Sequence, residues 1–582
     1  MQESEETAAL PKAATPPLTR GHQGHSWRLS GGREASPASE GWGASVLPRV
    51  PARAPRIGGV STNEQKNELQ QGAGERRNEN PAAKVAEGNH QVSPDTGAIN
   101  TGDSASTAST VSTAYATRRP SRMLSSVWGD EQHAVEAAQK WAREHTALAH
   151  DPKATARSAA ELDEAVKALA GDMITEEGIG ADRALEIYEN ILIPATRAAD
   201  DPMNLAYIPG APTRAAVAFD NVVSAANVFG GVWEAGAGAI WAENQVLRWL
   251  MDLLGWPEGS AGAFVSGGTS GNLSALATAR EKAREEWASS GVFIDGRPTT
   301  GFKVACASSA HSSIRSAARL LDVEVVTVPV DERGHLSGPN LARALDENPG
   351  VFAVVASGGT TNAGIVDDIR SVVEVAHARG VWVHIDGAYG GAALAAPSAR
   401  PRFDGIEEAD SFIVDPHKWL FAPYDCCALV YRDPSPAYRA HSQHAEYLDS
   451  IVRSDANPSD LAAHLSRRTR GLPLWYSLLT HGTAKYSEAI EKCLSTSRAV
   501  RRGIDDIEHL EMVIEPELSV LVFRRPGWTD EQYHEWSQRM ARDGVILCIP
   551  TKHSGETVLR LVFVNPDTEA DRVIAVLRDT MA

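Results

Sequence analysis

Four short runs of nearly unbroken apolar residues stand out in the middle of the chain: Lys303–Ala307, Phe352–Ala356, Val381–Ile385 and Ser411–Val414. Runs of that length without polar alternation suit strands of a parallel sheet covered on both faces. Between and before them, residues 271–287, 312–321 and 367–379 repeat apolar side chains every three or four positions, the period of an amphipathic helix. The alternation of the two patterns from about 260 to 435 predicts an α/β layer of doubly wound type. Upstream, 130–148 and 158–171 read as amphipathic helices. Downstream of about 490 the order becomes helix, strand Ser519–Phe523, helix 529–543, strand Val545–Ile549, strand Val558–Val564 and helix 567–581, which predicts a small α+β domain.

The first 122 residues follow neither period. They are rich in Ser, Thr, Gly, Pro and Ala, with Trp27, Trp42 and Tyr115 their only aromatics. Such a segment buries too little apolar surface to offset its conformational entropy. It is expected to be a disordered leader, or an upstream extension with Met123 as the true start. The expected layout is therefore leader 1–122, helical segment 123–200, large domain 201–489 and small domain 490–582.

Charge and composition narrow the function classes. The leader carries 14 basic and 12 acidic residues, a net of +2, so of the chain's net charge of -19 the folded remainder carries -21. An acidic fold argues against nucleic acid as a partner, because phosphate backbones call for basic surface. No run of eighteen apolar residues exists, so no membrane helix is expected, and the acidic N-terminus lacks the apolar core of a secretory signal. The five cysteines, 306, 426, 427, 493 and 548, are odd in number and form no CxxC pair. Neither a disulfide framework nor a metal site is expected, and a cytoplasmic location follows.

Four segments sit where strands give way to turns, the place where open α/β sheets bind ligands. In Phe264–Leu273 the sequence Val-Ser-Gly-Gly-Thr-Ser-Gly-Asn runs into a helix. Gly267 and Gly268 allow close backbone approach, Thr269 and Ser270 offer hydroxyls, and the helix start offers free N–H groups for a phosphate. The plain alternative is a Gly-rich turn with a Ser/Thr cap. Asp386, in Val-His-Ile-Asp-Gly-Ala-Tyr, ends a buried strand, where a carboxylate needs a cationic partner such as a protonated pyridine nitrogen. The alternative is a helix cap. Lys418, in Val-Asp-Pro-His-Lys-Trp-Leu, follows another buried strand. Desolvation there is expected to lower its pKa and favour a neutral amine able to attack an aldehyde. The alternative is a solvated loop lysine. His311 follows a third strand, where its ring could stack on a cofactor or simply cap a helix. Together these groups match the parts of a pyridoxal 5′-phosphate (PLP) site.

From about 200 to 480 the chain resembles the group II PLP-dependent decarboxylases, which include the aromatic-L-amino-acid, histidine and glutamate decarboxylases. The resemblance rests on Ala409–Leu420, on His384-x-Asp386-x-Ala388-Tyr389, on the 32-residue spacing from Asp386 to Lys418, and on Gly359-Thr360-Thr361 with Gly364 and Asp367. Leu465–Trp475 resembles the stretch after that family's mobile loop. The resemblance implies PLP fold type I, a large domain plus a small one, and a homodimer acting on an amino acid. It implies that Lys418 binds the cofactor aldehyde as a Schiff base, Asp386 pairs with the ring nitrogen and His311 stacks on the ring. It places Gly268, Thr269, Ser270, Asp415 and His417 around the phosphate, Ala388 under the ring and Thr361 near its phenolic oxygen. Tyr207 resembles a substrate-side segment. Trp233 and Trp241 are candidates for a bulky-substrate pocket or for helix core. Arg560 is a candidate for a substrate carboxylate or a structural salt bridge.

The sequence departs from the family at one point. The family carries a tyrosine on the mobile loop, thought to protonate the product carbon. Residues 449–464 contain none, and an ungapped alignment puts Pro458 there. Two expectations follow: a substitute proton donor such as His464, or a shift toward aldehyde synthesis or another fold type I reaction.

Overall fold

In a computed structural model the described residues are 131–147, 156–208, 210–288, 293–294, 297–443 and 457–582, all within one compact unit. Residues 1–130 and the whole 444–456 stretch lie outside them.

Three helices come first: α1 (Gln132–Ala147), α2 (Ala159–Ala170) and α3 (Ala181–Ile187). The second begins with a capping box in which Ser158 and Glu161 satisfy each other's backbone N–H groups, fixing its start. Next come α4 (Arg214–Ala226) and α5 (Trp233–Leu254), then β1 (Ala261–Val265) and α6 (Gly268–Ala288). A short hairpin, β2 (Phe293–Ile294) and β3 (Arg297–Pro298), precedes the alternating layer. That layer runs β4 (Lys303–Ala307), α7 (Ser312–Leu320), β5 (Glu324–Val328), α8 (Gly338–Glu347), β6 (Val351–Ser357), α9 (Ile369–His377), β7 (Trp382–Asp386), β8 (Ser411–Val414) and β9 (Cys427–Tyr431).

The seven strands of the large sheet lie in the order β1-β9-β8-β7-β6-β4-β5. All are parallel except β9, which is antiparallel to both its neighbours. Each strand feeds both faces. Phe412 and Val414 join one apolar core with Val383, Ile385 and Phe264, whereas Ile413 joins the opposite core with Val265, Cys306 and Leu429. That two-sided burial is why the runs lack polar alternation.

After α10 (Ser435–His441), helices α11 (Leu472–His481) and α12 (Thr483–Asp505) lead to the C-terminal layer. It comprises β10 (Glu511–Ile514), β11 (Val520–Arg524), α13 (Asp530–Arg542), β12 (Ile549–His553), β13 (Glu556–Val562) and α14 (Ala570–Thr580), its antiparallel strands ordered β10-β11-β13-β12. The strand expected at Val545–Ile549 begins only at Ile549, because α13 stops at Arg542 and residues 543–548 turn back first. The long α12 spans both layers: Tyr486, Ile490 and Leu494 pack in the large core, and Val500 and Ile504 in the small one. Met203 and Leu205 also pack in the small core, so the chain crosses this layer before entering the large sheet.

Candidate active site

The C-terminal ends of β1, β4, β6, β7 and β8 converge on one cavity of about 250 Å³. Its wall includes Gly268, Thr269, His311, Thr361, Asp386, Ala388, Asp415, His417 and Lys418. Nine of the ten cofactor residues expected from sequence thus meet in one place, from segments up to 150 positions apart.

Asp386, at the last position of β7, is buried. Its Oδ1 accepts the Ala388 N–H at 3.1 Å and its Oδ2 accepts Asn272 Nδ2 at 2.9 Å. Two donors on one carboxylate suit a fixed negative charge at the inner end of the cavity. Asn272, one turn into α6, also donates from Nδ2 to Ser313 Oγ at 2.9 Å, while its Oδ1 faces His384 Nε2 at 2.8 Å. Ser313 in turn contacts His311 Nδ1 through both its Oγ at 2.8 Å and its backbone N–H at 3.2 Å. His311 is the N-cap of α7, which locks its ring from the Nδ1 side.

Lys418 departs from the sequence expectation. Its Nζ lies 2.9 Å from Asp415 Oδ2, and Asp386 adds a second negative charge. Burial alone pushes the ammonium down, but the two carboxylates outweigh it and raise its pKa above the ordinary lysine value. The expected neutral amine is therefore an ion-paired ammonium when Asp415 is its neighbour. His417 accepts the Cys426 N–H at Nδ1, 3.1 Å away, so its Nε2 carries the hydrogen and faces Asp415 Oδ2 at 3.6 Å. Burial, opposed by Asp415, lowers the His417 pKa and keeps the ring neutral.

Backbone shape completes the cavity. Gly359 has φ of +118°, and a Cβ there would lie 2.9 Å from Gly390 Cα, so only glycine fits. The carboxylate of Asp367 clamps the same turn, accepting the Ser357 and Leu336 N–H groups at 2.6 and 2.7 Å. Burial pushes the Asp367 carboxyl up to about 7 despite those bonds. At Gly210 an added Cβ would sit 2.1 Å from the His417 carbonyl oxygen, so the chain at Gly210 presses directly on the lysine loop.

Several expected residues lie elsewhere. Ser270 turns its hydroxyl to Ser266 Oγ at 2.9 Å, because the helix geometry of α6 aims it along its own start. Tyr207 is 61% exposed and is not on the cavity wall. Trp241 is also exposed, and the Trp233 backbone N–H bonds Asn457 Oδ1, a helix-start contact. Arg560 makes no salt bridge among the described residues. Its Nη1 donates to the Ala206 carbonyl at 2.8 Å, whereas Nε and Nη2 have no partner. His464 is not on the cavity wall and contacts the Pro458 carbonyl at 3.0 Å. Of the loop expected to lack a tyrosine, residues 449–456 lie outside the described residues. Sequence reasoning gave no site role to Asn272 or Ser357, nor to Tyr389, which it read only as part of the Asp386 motif. The first stood in plain sight after Gly271, but two of its three partners are more than 110 residues away and the third is 41.

The donor set suits PLP. An amine stands opposite a buried carboxylate, and a Gly-Gly-Thr helix start supplies N–H groups that have no acceptor inside the helix. A seven-stranded, mainly parallel sheet with its cavity at the strand ends and a small C-terminal layer defines a PLP enzyme of fold type I. The family model described as "Pyridoxal-dependent decarboxylase conserved domain" matches residues 165–525. The chain belongs to that family, and its cofactor is PLP. It is 28% identical over 424 residues to an aromatic-L-amino-acid decarboxylase of Bacillus atrophaeus, covering 70% of this chain and 86% of the relative. It is 27% identical over 474 residues to an L-2,4-diaminobutyrate decarboxylase of Acinetobacter baumannii, covering 77% and 91%. Among solved structures, that of Oryza sativa TDC with PLP and tryptamine superposes with a TM-score of 0.68 at 24% identity, covering 77% of this chain and 95% of that one.

Proposed function

We propose that this protein decarboxylates an aromatic L-amino acid to the amine and CO2, with Lys418 as the cofactor-binding lysine. The observation that carries the reading is the convergence of Lys418, Asp386, His311 and the Gly268–Thr269 helix start on a single cavity. The aromatic preference is supported by the Bacillus relative and by Tyr424, whose ring leans on His417 at 4.7 Å.

When bound, PLP supplies an electron sink for the pair left behind as CO2 departs. The chain's own residues do the rest. Lys418 would hold the aldehyde carbon, and Asp386 would keep the ring nitrogen protonated. His311 and Ala388 would cover the ring, and Thr361 would stand by its phenolic oxygen. Gly268, Thr269, Asp415 and His417 would surround the phosphate. When not holding the aldehyde, Lys418 would be an ammonium beside Asp415 and would hold the proton destined for the product carbon. The contact of His464 with the Pro458 carbonyl favours Lys418 over His464 for this role.

The protein would act as a homodimer. Val222 on α4 and Leu479 on α11 are exposed apolar side chains on two helices that pack together, and Phe219 and Tyr476 stack beside them. A cytoplasmic location is supported by five cysteines that are all free and buried. Among the described residues no helix is long and apolar enough to cross a membrane.

One observation favours a second reading: with no tyrosine between Asp449 and His464, the product could leave as an aldehyde. The test is a panel of L-amino acids assayed for CO2, with products identified by mass spectrometry. Amine from tyrosine, tryptophan or dopa supports the proposal. Aldehyde with ammonia and peroxide supports the second reading, and exclusive turnover of 2,4-diaminobutyrate overturns the aromatic assignment.

A further inference from the structure

The buried groups behind the cavity form one continuous chain of hydrogen bonds, and its two ends dictate every link. Trp382 Nε1–H, which can only donate, bonds Ser411 Oγ at 2.8 Å. Ser411 Oγ lies 2.9 Å from His384 Nδ1, and His384 Nε2 lies 2.8 Å from Asn272 Oδ1. At the other end the Asp386 carboxylate can only accept, so Asn272 must present its NH2 group there. Its oxygen then faces His384 and requires a donor. His384 must therefore be the Nε2–H tautomer, with Nδ1 accepting from the Ser411 hydroxyl. The second Asn272 N–H goes to Ser313 Oγ, whose own hydrogen is then directed to His311 Nδ1. The order of donation runs one way from Trp382 to both Asp386 and His311.

Every member between the ends is buried, so none has water as an alternative partner: His384 and Ser411 are 0% exposed, Asn272 1% and Ser313 3%. Burial pushes the His384 imidazolium well below its ordinary pKa, with Asp386 opposing, so the neutral tautomer holds at physiological pH.

We propose that Asn272 is a positioning residue that ties the ring-nitrogen carboxylate Asp386 to the ring-facing His311, with neutral His384 as the donor that orients it. This deepens the proposed function and rests on it. Asn272 lies on the cavity wall, but all three of its hydrogen bonds go to protein groups rather than into the cavity. It sets the direction of the Asp386 carboxylate and, through Ser313, keeps the neutral His311 ring in the form with hydrogen on Nε2. The amide does what neither a carboxylate nor a hydroxyl could: it gives two hydrogens to two acceptors while receiving one.

The experiment uses the full chain stripped of cofactor and titrated with PLP labelled with 15N at its ring nitrogen. Asn272→Leu removes all three bonds at nearly constant volume. Loss of a hydrogen bond to a charged group predicts affinity weaker by on the order of tenfold to a hundredfold. The ring-nitrogen resonance is expected to lose its proton at lower pH than in the wild type, which a merely structural defect would not produce. His384→Gln keeps an N–H donor where Nε2 stands and is expected to stay within about threefold of wild type, whereas His384→Leu is expected to fall with Asn272→Leu. The His384 pair keeps the test decisive if Asn272→Leu fails to fold. Unchanged affinity and ring-nitrogen titration in both leucine variants would overturn the positioning role. A wild-type protein that shows no PLP absorption band would instead overturn the underlying function, so the two failures are separable.

Discussion

Asp415→Asn tests the ion pair that distinguishes this lysine from the one expected by burial alone. In the native chain Lys418 Nζ lies 2.9 Å from the carboxylate, and the ammonium is favoured even though its side chain is only 23% exposed. The sign is definite. A raised lysine pKa means the pair is intact below the ordinary lysine value and is lost as pH rises through the raised one. An opposite charge within about 4–6 Å shifts a pKa by about 1–3 units, each unit being tenfold in the neutral amine. Asparagine keeps the shape but removes the charge, leaving burial opposed only by Asp386. The neutral fraction near pH 7 is then expected to rise about tenfold to a thousandfold. Stopped-flow absorbance of apoenzyme mixed with pyridoxal, which lacks the phosphate, reads amine availability without changing the phosphate contacts. Carbonyl capture should accelerate in the variant, and the inflection of its pH profile should move down by about 1–3 units. If the inflection stays put or moves up, Asp415 is not the group that holds Lys418 charged.

Three further outcomes are expected. Arg467 and Glu243 form a fully buried pair at 2.6 Å, and Glu243 also accepts the Gly471 N–H. Arg467→Met leaves a buried charge and should cost about 3–5 kcal/mol, or about 3–5 °C in the melting temperature of a unit near 450 residues. Adding Glu243→Gln keeps the Gly471 bond without the charge and should recover most of that loss in calorimetry. His464 has its pKa pushed down to about 4 by burial and neighbouring arginines. The unfolded chain therefore takes up its proton first, and stability should fall by on the order of 3 kcal/mol as pH drops from about 6.5 to 4, with His464→Gln flattening that part of the pH curve in denaturant titrations. The same His464→Gln variant should form amine at an undiminished rate by product mass spectrometry, since its ring faces the Pro458 carbonyl.

Much of the architecture was written in local pattern. The runs at 303–307 and 411–414 became strands with those bounds, and the helices at 132–147 and 159–170 lie within two residues of the periodic stretches. β9 escaped because Cys427–Tyr431 follows the lysine motif closely and reads as part of its loop, while its pairing with β1 is set some 165 positions away. The site residues were legible where chemistry demands a rare residue at a strand end, as with Asp386 and Lys418. They were not legible where the role depends on partners distant in sequence. Asn272 is ordinary beside Gly271, and the Lys418 pKa was misjudged because burial can be guessed from sequence whereas the position of the Asp415 carboxylate cannot.

The lone antiparallel strand has a consequence for how the site can change. Val265, at the edge of the Gly267–Thr269 turn, pairs with Cys427, and Val414, at the edge of the lysine loop, pairs with Ala428 on the same strand. The two ends of the cofactor site therefore spring from one row of a common lattice, two strand spacings or about 10 Å apart. That gauge moves only in jumps: a slip of one residue inverts both faces of β9, and the next allowed setting is a two-residue step. Exposed residues beside the cavity, such as Tyr424 against His417, can be exchanged one at a time to suit another substrate. The span between cradle and lysine has no such gradual adjustment, so a lineage built on this sheet can vary what it acts on far more readily than the coenzyme it uses.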